Sequence, residues 1–213
     1  IEVWDAPTLT KMFSEQLSVL DDDKLAELLK PHADTPEKTA ANQLIETLSS
    51  ITPGRSEWST YQKHCTNIFE FLFTPPMAKP LYEHSDAVKA NRRDIIIPNY
   101  ANKGFWRFAR EKYLADYIVI DAKNYSGKLT KSTVLQMSNY LKSSGAGLFG
   151  IICSPNSPNK SALHTRREQW LLHQKMIIFL CNDDLVQMLT LKGDDNQAEV
   201  VIKQKIEDFR LSI

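Results

Sequence analysis

Cysteine is scarce: Cys65, Cys153 and Cys181 are the only three in 213 residues. Thiols so few and so widely spaced make neither a disulfide framework nor a zinc ligand set, and they read as small core residues in a reducing compartment. The histidines, His32, His64, His84, His164 and His173, form no His-x-x-x-His or Cys/His cluster, which argues against a zinc centre. Glycine is also sparse, at 7 residues. The one small-residue stretch, Ser144-Gly145-Ala146-Gly147, lacks a following Lys-Ser/Thr and leads into an apolar run, so ATP or GTP use is not supported. No apolar run approaches the ~20 residues that span a bilayer, and Ile1-Glu2-Val3-Trp4-Asp5 has neither a basic nor an apolar leader region. The expectation is a cytoplasmic protein without a membrane partner. Because the chain begins without Met, it also reads as a piece of a longer polypeptide.

Net charge is absent too, with 26 basic side chains offset by 26 acidic ones. The balance conceals a polar distribution. Residues 1–51 carry 4 basic against 10 acidic side chains, whereas residues 91–175 carry 14 against 5, a surplus of nine. Phosphate contacts come from clustered Lys and Arg and not from overall pI, so the central segment suggests a face for a polyanion, or else a solvated Lys-rich surface.

Hydrophobic periodicity divides the chain. Leu9, Met12, Phe13, Leu17, Leu20, Leu25 and Leu28 recur at helical spacing up to Pro31, and Thr35-Pro36 opens a second helix running to about Ser50. Thr52-Pro53-Gly54-Arg55 is the expected boundary, giving an acidic helical extension over 1–51 and a main domain over 52–213. Ser56 is placed to cap a helix whose stripe is Trp58, Tyr61, Cys65, Ile68, Phe69 and Leu72. Strands are expected over 92–98, 115–123, 147–153 and 176–181, alternating with helices over 130–143, 161–174, 183–191 and 197–209; residues 104–113 suit a short helix or an irregular connection. This alternation means an α/β layered domain.

Asp121 and Lys123 lie two apart at the end of a strongly apolar strand and therefore share a face. A buried carboxylate and ammonium are costly unless paired or given a metal. Asp94 heads the preceding strand, and if the two strands are neighbours the two carboxylates converge on one hard cation suited to phosphodiester hydrolysis. Spacing alone fits equally well a buried Asp121/Lys123 ion pair with Asp94 matched to Arg92 or Arg93.

The ordered set goes further. Trp58-Ser59-Thr60-Tyr61-Gln62 on one helix, Arg93-Asp94-Ile95 on a strand, Asp121-Ala122-Lys123-Asn124-Tyr125 on the next, and Gln136-Met137-Ser138-Asn139-Tyr140 on the following helix resemble the PD-(D/E)xK nuclease superfamily, in its restriction-endonuclease-like, Mrr-like branches. The resemblance covers 54 to about 181. It implies an α/β restriction-endonuclease-like mixed central sheet flanked by helices, and a metal-dependent endonuclease using Mg²⁺ or Mn²⁺. Asp94 and Asp121 would be metal ligands, Lys123 the catalytic cation and Gln136 a further active-site residue. DNA is the implied partner, and bacterial defence or restriction the implied setting, with target choice made by another domain or subunit. Double-strand cutting with one site per chain favours a homodimer.

Related sequences often carry Glu where this chain has Gln62. Gln62 lies about 60° from the centre of the apolar stripe, Glu57 about 80° on the other flank and Glu70 about 140° away, so neither acid is well placed to substitute. The alternative is accordingly a weakened nuclease-fold module kept for nucleic-acid binding or protein interaction. Arg92, Lys128, Lys131 and Tyr140 are candidate nucleic-acid contacts, and the 154–160 loop with Arg166 and Arg167 beyond it occupies a position where open α/β sheets often bind ligands.

Overall fold

The computed structural model describes residues 35–85 and 92–213, with the backbone alone for 82–85 and 92–94. The first helix of the expected extension and Asp94's side chain therefore lie outside the described residues. The second helix, α1 (Pro36–Ser50), belongs to a compact unit beginning at Pro36. It buries Ala41 and Leu48 against a C-terminal helix, where Gly193 gives Ala41 room to approach.

A short 3₁₀ turn (Arg55–Glu57) leads into α2 (Trp58–Phe73). Glu57 is the N-cap residue, and Ser56 sits inside the turn instead of capping the helix. Then come β1 (Leu81–Ser85), β2 (Arg92–Pro98), α3 (Gly104–Tyr113) and β3 (Tyr117–Ala122). The chain continues as α4 (Lys131–Tyr140), β4 (Phe149–Cys153), α5 (Lys160–His173), β5 (Met176–Leu180), α6 (Asn182–Gly193) and α7 (Val200–Leu211).

Among the described residues the sheet has five strands, in sequence order. β1, β2 and β3 form an antiparallel meander, whereas β3, β4 and β5 are parallel and need the α4 and α5 crossovers. Crossovers of one hand, progressing in one direction, put both helices on the same side. That side is sealed by Val119, Val134, Met137, Tyr140, Leu141, Ile152, Ala162 and Ile177. The opposite side is the larger core, where Tyr61, Cys65, Ile68 and Phe69 of α2 meet Ile95, Ile97, Ile118 and Ile120 of the sheet, along with Phe105 and Trp106 of α3. Being covered on both sides explains why β3, β4 and β5 read as continuous apolar runs.

Candidate active site

β3 is buried from Ile118 to Ala122, and its alternation places Asp121 on the side of Val119 while Ala122 turns to the larger core. Asp121 is only 1% exposed, and Lys123, just past the strand's end, is 14% exposed. The Lys123 ammonium lies 2.6 Å from Asp121 Oδ1. The backbone holds Lys123 in place: its N–H donates to the Cys153 carbonyl at 2.8 Å, extending the parallel pairing of β3 with β4.

The β2/β3 register runs from Pro98↔Tyr117 to Ile95↔Ile120. Continued by one pair it brings the Asp94 backbone opposite Asp121, at a position on the same side of the sheet. The side chains of Arg92 and Asp94 lie outside the described residues.

Beyond the end of β3 is a cleft of about 710 Å³, lined by Arg55, Trp58, Gln62, Lys123, Tyr125 and Lys128 among others. Its two walls come from distant parts of the chain and are stapled by one amide. Asn124 Nδ2 donates to the Thr52 and Gly54 carbonyls at 2.9 and 3.0 Å, and Gly54 N–H returns a bond to the Asn124 carbonyl at 3.0 Å. From the other flank Asn156 Nδ2 donates to the carbonyls of Tyr125 and Ser126. The 154–160 loop thus braces this turn, and its Asn159 caps α5 through the Ala162 N–H.

The described cleft lining is electrically one-sided. Arg55, Lys123 and Lys128 are its charged residues. Glu57 accepts the Thr52 N–H at 2.6 Å, and Glu70 pairs with Lys79 at 2.9 Å. Gln62 therefore stands in the cleft with neither acid in its place.

On α4, Gln136 is exposed and donates through Nε2 to the Tyr140 hydroxyl at 2.8 Å. Tyr140 itself is 4% exposed and packs in the core beneath α4, so of the two side chains Gln136 is the one that helix exposes. Lys131 begins α4 as an exposed residue and is not among the residues lining the cleft.

The helical period places Trp58 on the apolar stripe of α2, but Trp58 is not among that helix's buried residues and is 47% exposed in the cleft. Arg55, read as part of a boundary turn, and Tyr125, read as the end of the Asp121 motif, carry no site role in the sequence reading. Their meeting in one cleft depends on the Asn124 staple, which joins positions 70 and 72 residues apart. The only local hint was a run of turn residues on both sides.

No family model matches the chain. An 80.3 kDa protein assigned to transposon gamma-delta of Escherichia coli (strain K12) is 25% identical over 194 residues, covering 89% of this chain. The chain spans 27% of that relative's length. Among solved structures, restriction endonuclease FokI bound to DNA superposes with a TM-score of 0.53 at 13% identity, over 87% of this chain and 33% of that one. The likeness is one of fold: residues 36–213 adopt a restriction-endonuclease-like arrangement, a mixed sheet flanked by helices.

Proposed function

We propose that this domain is a metal-dependent endonuclease module that hydrolyses DNA phosphodiester bonds, within a larger bacterial protein devoted to defence or restriction. The observation that carries the proposal is the buried Asp121 paired at 2.6 Å to Lys123 at the edge of a cleft whose described charges are all positive. DNA as substrate draws further support from the DNA-bound FokI likeness.

The donor chemistry fits a hard cation. Among the described residues no group of three His, Cys, Asp or Glu side chains gathers. A cation here would draw on the Asp121 carboxylate, on Asp94 at the register position opposite, and on backbone oxygen and water, a set that suits Mg²⁺ or Mn²⁺ better than zinc. When bound, such an ion supplies Lewis acidity and a water of lowered pKa. The protein's own part is electrostatic. Lys123 presents a fixed ammonium to the negative charge that accumulates on the phosphoryl oxygens, and Asp121 holds that ammonium in position. Arg55 and Lys128 grip flanking phosphates, and Gln136 on α4 supports the site from the crossover side.

Purified protein with Mg²⁺ or Mn²⁺ is expected to nick plasmid DNA, and EDTA to stop it. Lys123→Ala and Asp121→Asn are each expected to lower the rate at least about 100-fold, the scale of losing one transition-state electrostatic contact, with an unchanged circular dichroism spectrum. Equal nicking by wild type and Lys123→Ala would refute the assignment. One observation favours a second reading: Gln62 supplies an amide where an acid would strengthen metal binding, as in a nuclease fold retained for binding. That reading predicts DNA affinity without cutting at any metal concentration.

A further inference from the structure

We infer that the cleft beside Lys123 takes an unpaired nucleotide, so that the preferred substrate is single-stranded or locally melted DNA. The inference rests on the nuclease reading only for the identity of the polymer. Its own foundation is the pair of aromatic side chains in the cleft.

Trp58 is 47% exposed and Tyr125 44% exposed, and both line the cleft. They come from different segments of the lining, Trp58 from the first turn of α2 and Tyr125 from the turn after β3. Arg55 and Lys128 accompany them in the same segments. Exposed rings interleaved with cations are the chemistry of single-strand binding: cations track the phosphates while rings stack on bases, tolerant of sequence because every base has a π face. In a duplex those faces are already covered by neighbouring bases, so the rings would have nothing to stack on.

The volume agrees. About 710 Å³ falls in the range of clefts that enclose a small organic ligand, and it has room for a nucleotide. The walls are also fixed in advance. Asn124 ties the second wall to Thr52 and Gly54 of the first, and Asn156 holds the Tyr125 and Ser126 carbonyls, so little backbone ordering is left to oppose binding.

The test is binding of the full 213-residue chain, in EDTA, to a fluorescein-labelled single strand and to the same sequence as a duplex, read by anisotropy. The single strand is expected to bind at least about tenfold more tightly. Trp58→Leu and Tyr125→Leu should each weaken single-strand binding about 5- to 150-fold, the scale of one base–aromatic stack, and change duplex binding by less than about twofold. Both side chains are exposed, so the leucine variants should keep the wild-type circular dichroism spectrum. Equal affinity for the two DNA forms, equal losses on both in the variants, or no binding to either overturns the inference. Omitting metal separates the two claims. Stacking-dependent binding without cleavage in Mg²⁺ keeps this inference and removes the nuclease reading, whereas cleavage with no strand preference does the reverse.

Discussion

Lys123 and Asp121 form a buried ion pair to which the proposed function adds a chemical role beside the structural one, and a cation titration separates the two. Removing the ammonium from 2.6 Å leaves a carboxylate that is 1% exposed without its nearest counter-charge, so Lys123→Met is expected to destabilise the fold by about 1–3 kcal/mol in EDTA, read from urea unfolding. The same change removes the ammonium that competes with a divalent ion for that carboxylate. Because a ligand that binds only the folded state stabilises it in proportion to RT ln(1 + [L]/Kd), Mn²⁺ should raise the melting temperature more in Lys123→Met than in wild type, and hardly at all in Asp121→Asn. An Mn²⁺ shift that survives Asp121→Asn would place the ion elsewhere. A purely structural pair would show the destabilisation alone.

At the scale of elements, α1 is held to α2 by a part-buried hydrogen bond: His64 Nε2–H donates to the Leu44 carbonyl at 2.8 Å. Burial lowers the His64 pKa below its ordinary value, against a smaller opposing effect of that bond. With the folded pKa below the unfolded one, the unfolded chain binds more protons between the two values, so this group's contribution is complete above about pH 6.5 and is lost as pH falls through that window. Urea midpoints at pH 7.5 and 5.5 should therefore differ more in wild type than in His64→Gln; equal differences would refute the assignment. Gly147 governs a second junction, at the entry to β4. Its φ is +95°, and an added Cβ would lie 1.9 Å from the Leu114 carbonyl oxygen, so Gly147→Ala should cost at least about 3 kcal/mol, against under about 1 kcal/mol for Gly145→Ala, whose nearest neighbour would be 3.7 Å away. Similar unfolding midpoints for the two variants would contradict this account. These junctions also show what the sequence can reveal. β2 to β5 and the later helices were legible because apolar runs and amphipathic periods are local. β1, Leu81-Tyr82-Glu83-His84-Ser85, was missed, because an edge strand of mixed polarity is specified by its pairing with β2. The Asp121-x-Lys123 pair could be read from strand alternation, whereas Trp58, Arg55 and Tyr125 come to line one cleft only once Asn124 closes a loop of 70 residues.

For the whole molecule, the question is whether the nine-charge surplus of residues 91–175 acts as one polyanion-binding face. The fold disperses much of it. Arg107 is paired with Glu111 at 2.8 Å, the Lys175 ammonium donates to the Ser138 carbonyl, and Arg166 lies 4.1 Å over the Phe209 ring, where burial brings its pKa down to about 10. Among the described residues of that segment, Lys123 and Lys128 line the cleft, and Arg55 joins them from outside it. Counterion release turns this arrangement into a number. With two or three phosphates engaged, and a slope of about 0.7 per phosphate on single strands, log K against log salt should fall with a slope of about −1.4 to −2.1. A face using all nine surplus charges would give about −6. Arg55→Ala and Lys128→Ala should each reduce the slope by about 0.7, and Arg166→Ala should leave it unchanged. A steep slope insensitive to Arg55 and Lys128 would move DNA binding away from the Lys123 cleft, to the remaining cations of the segment.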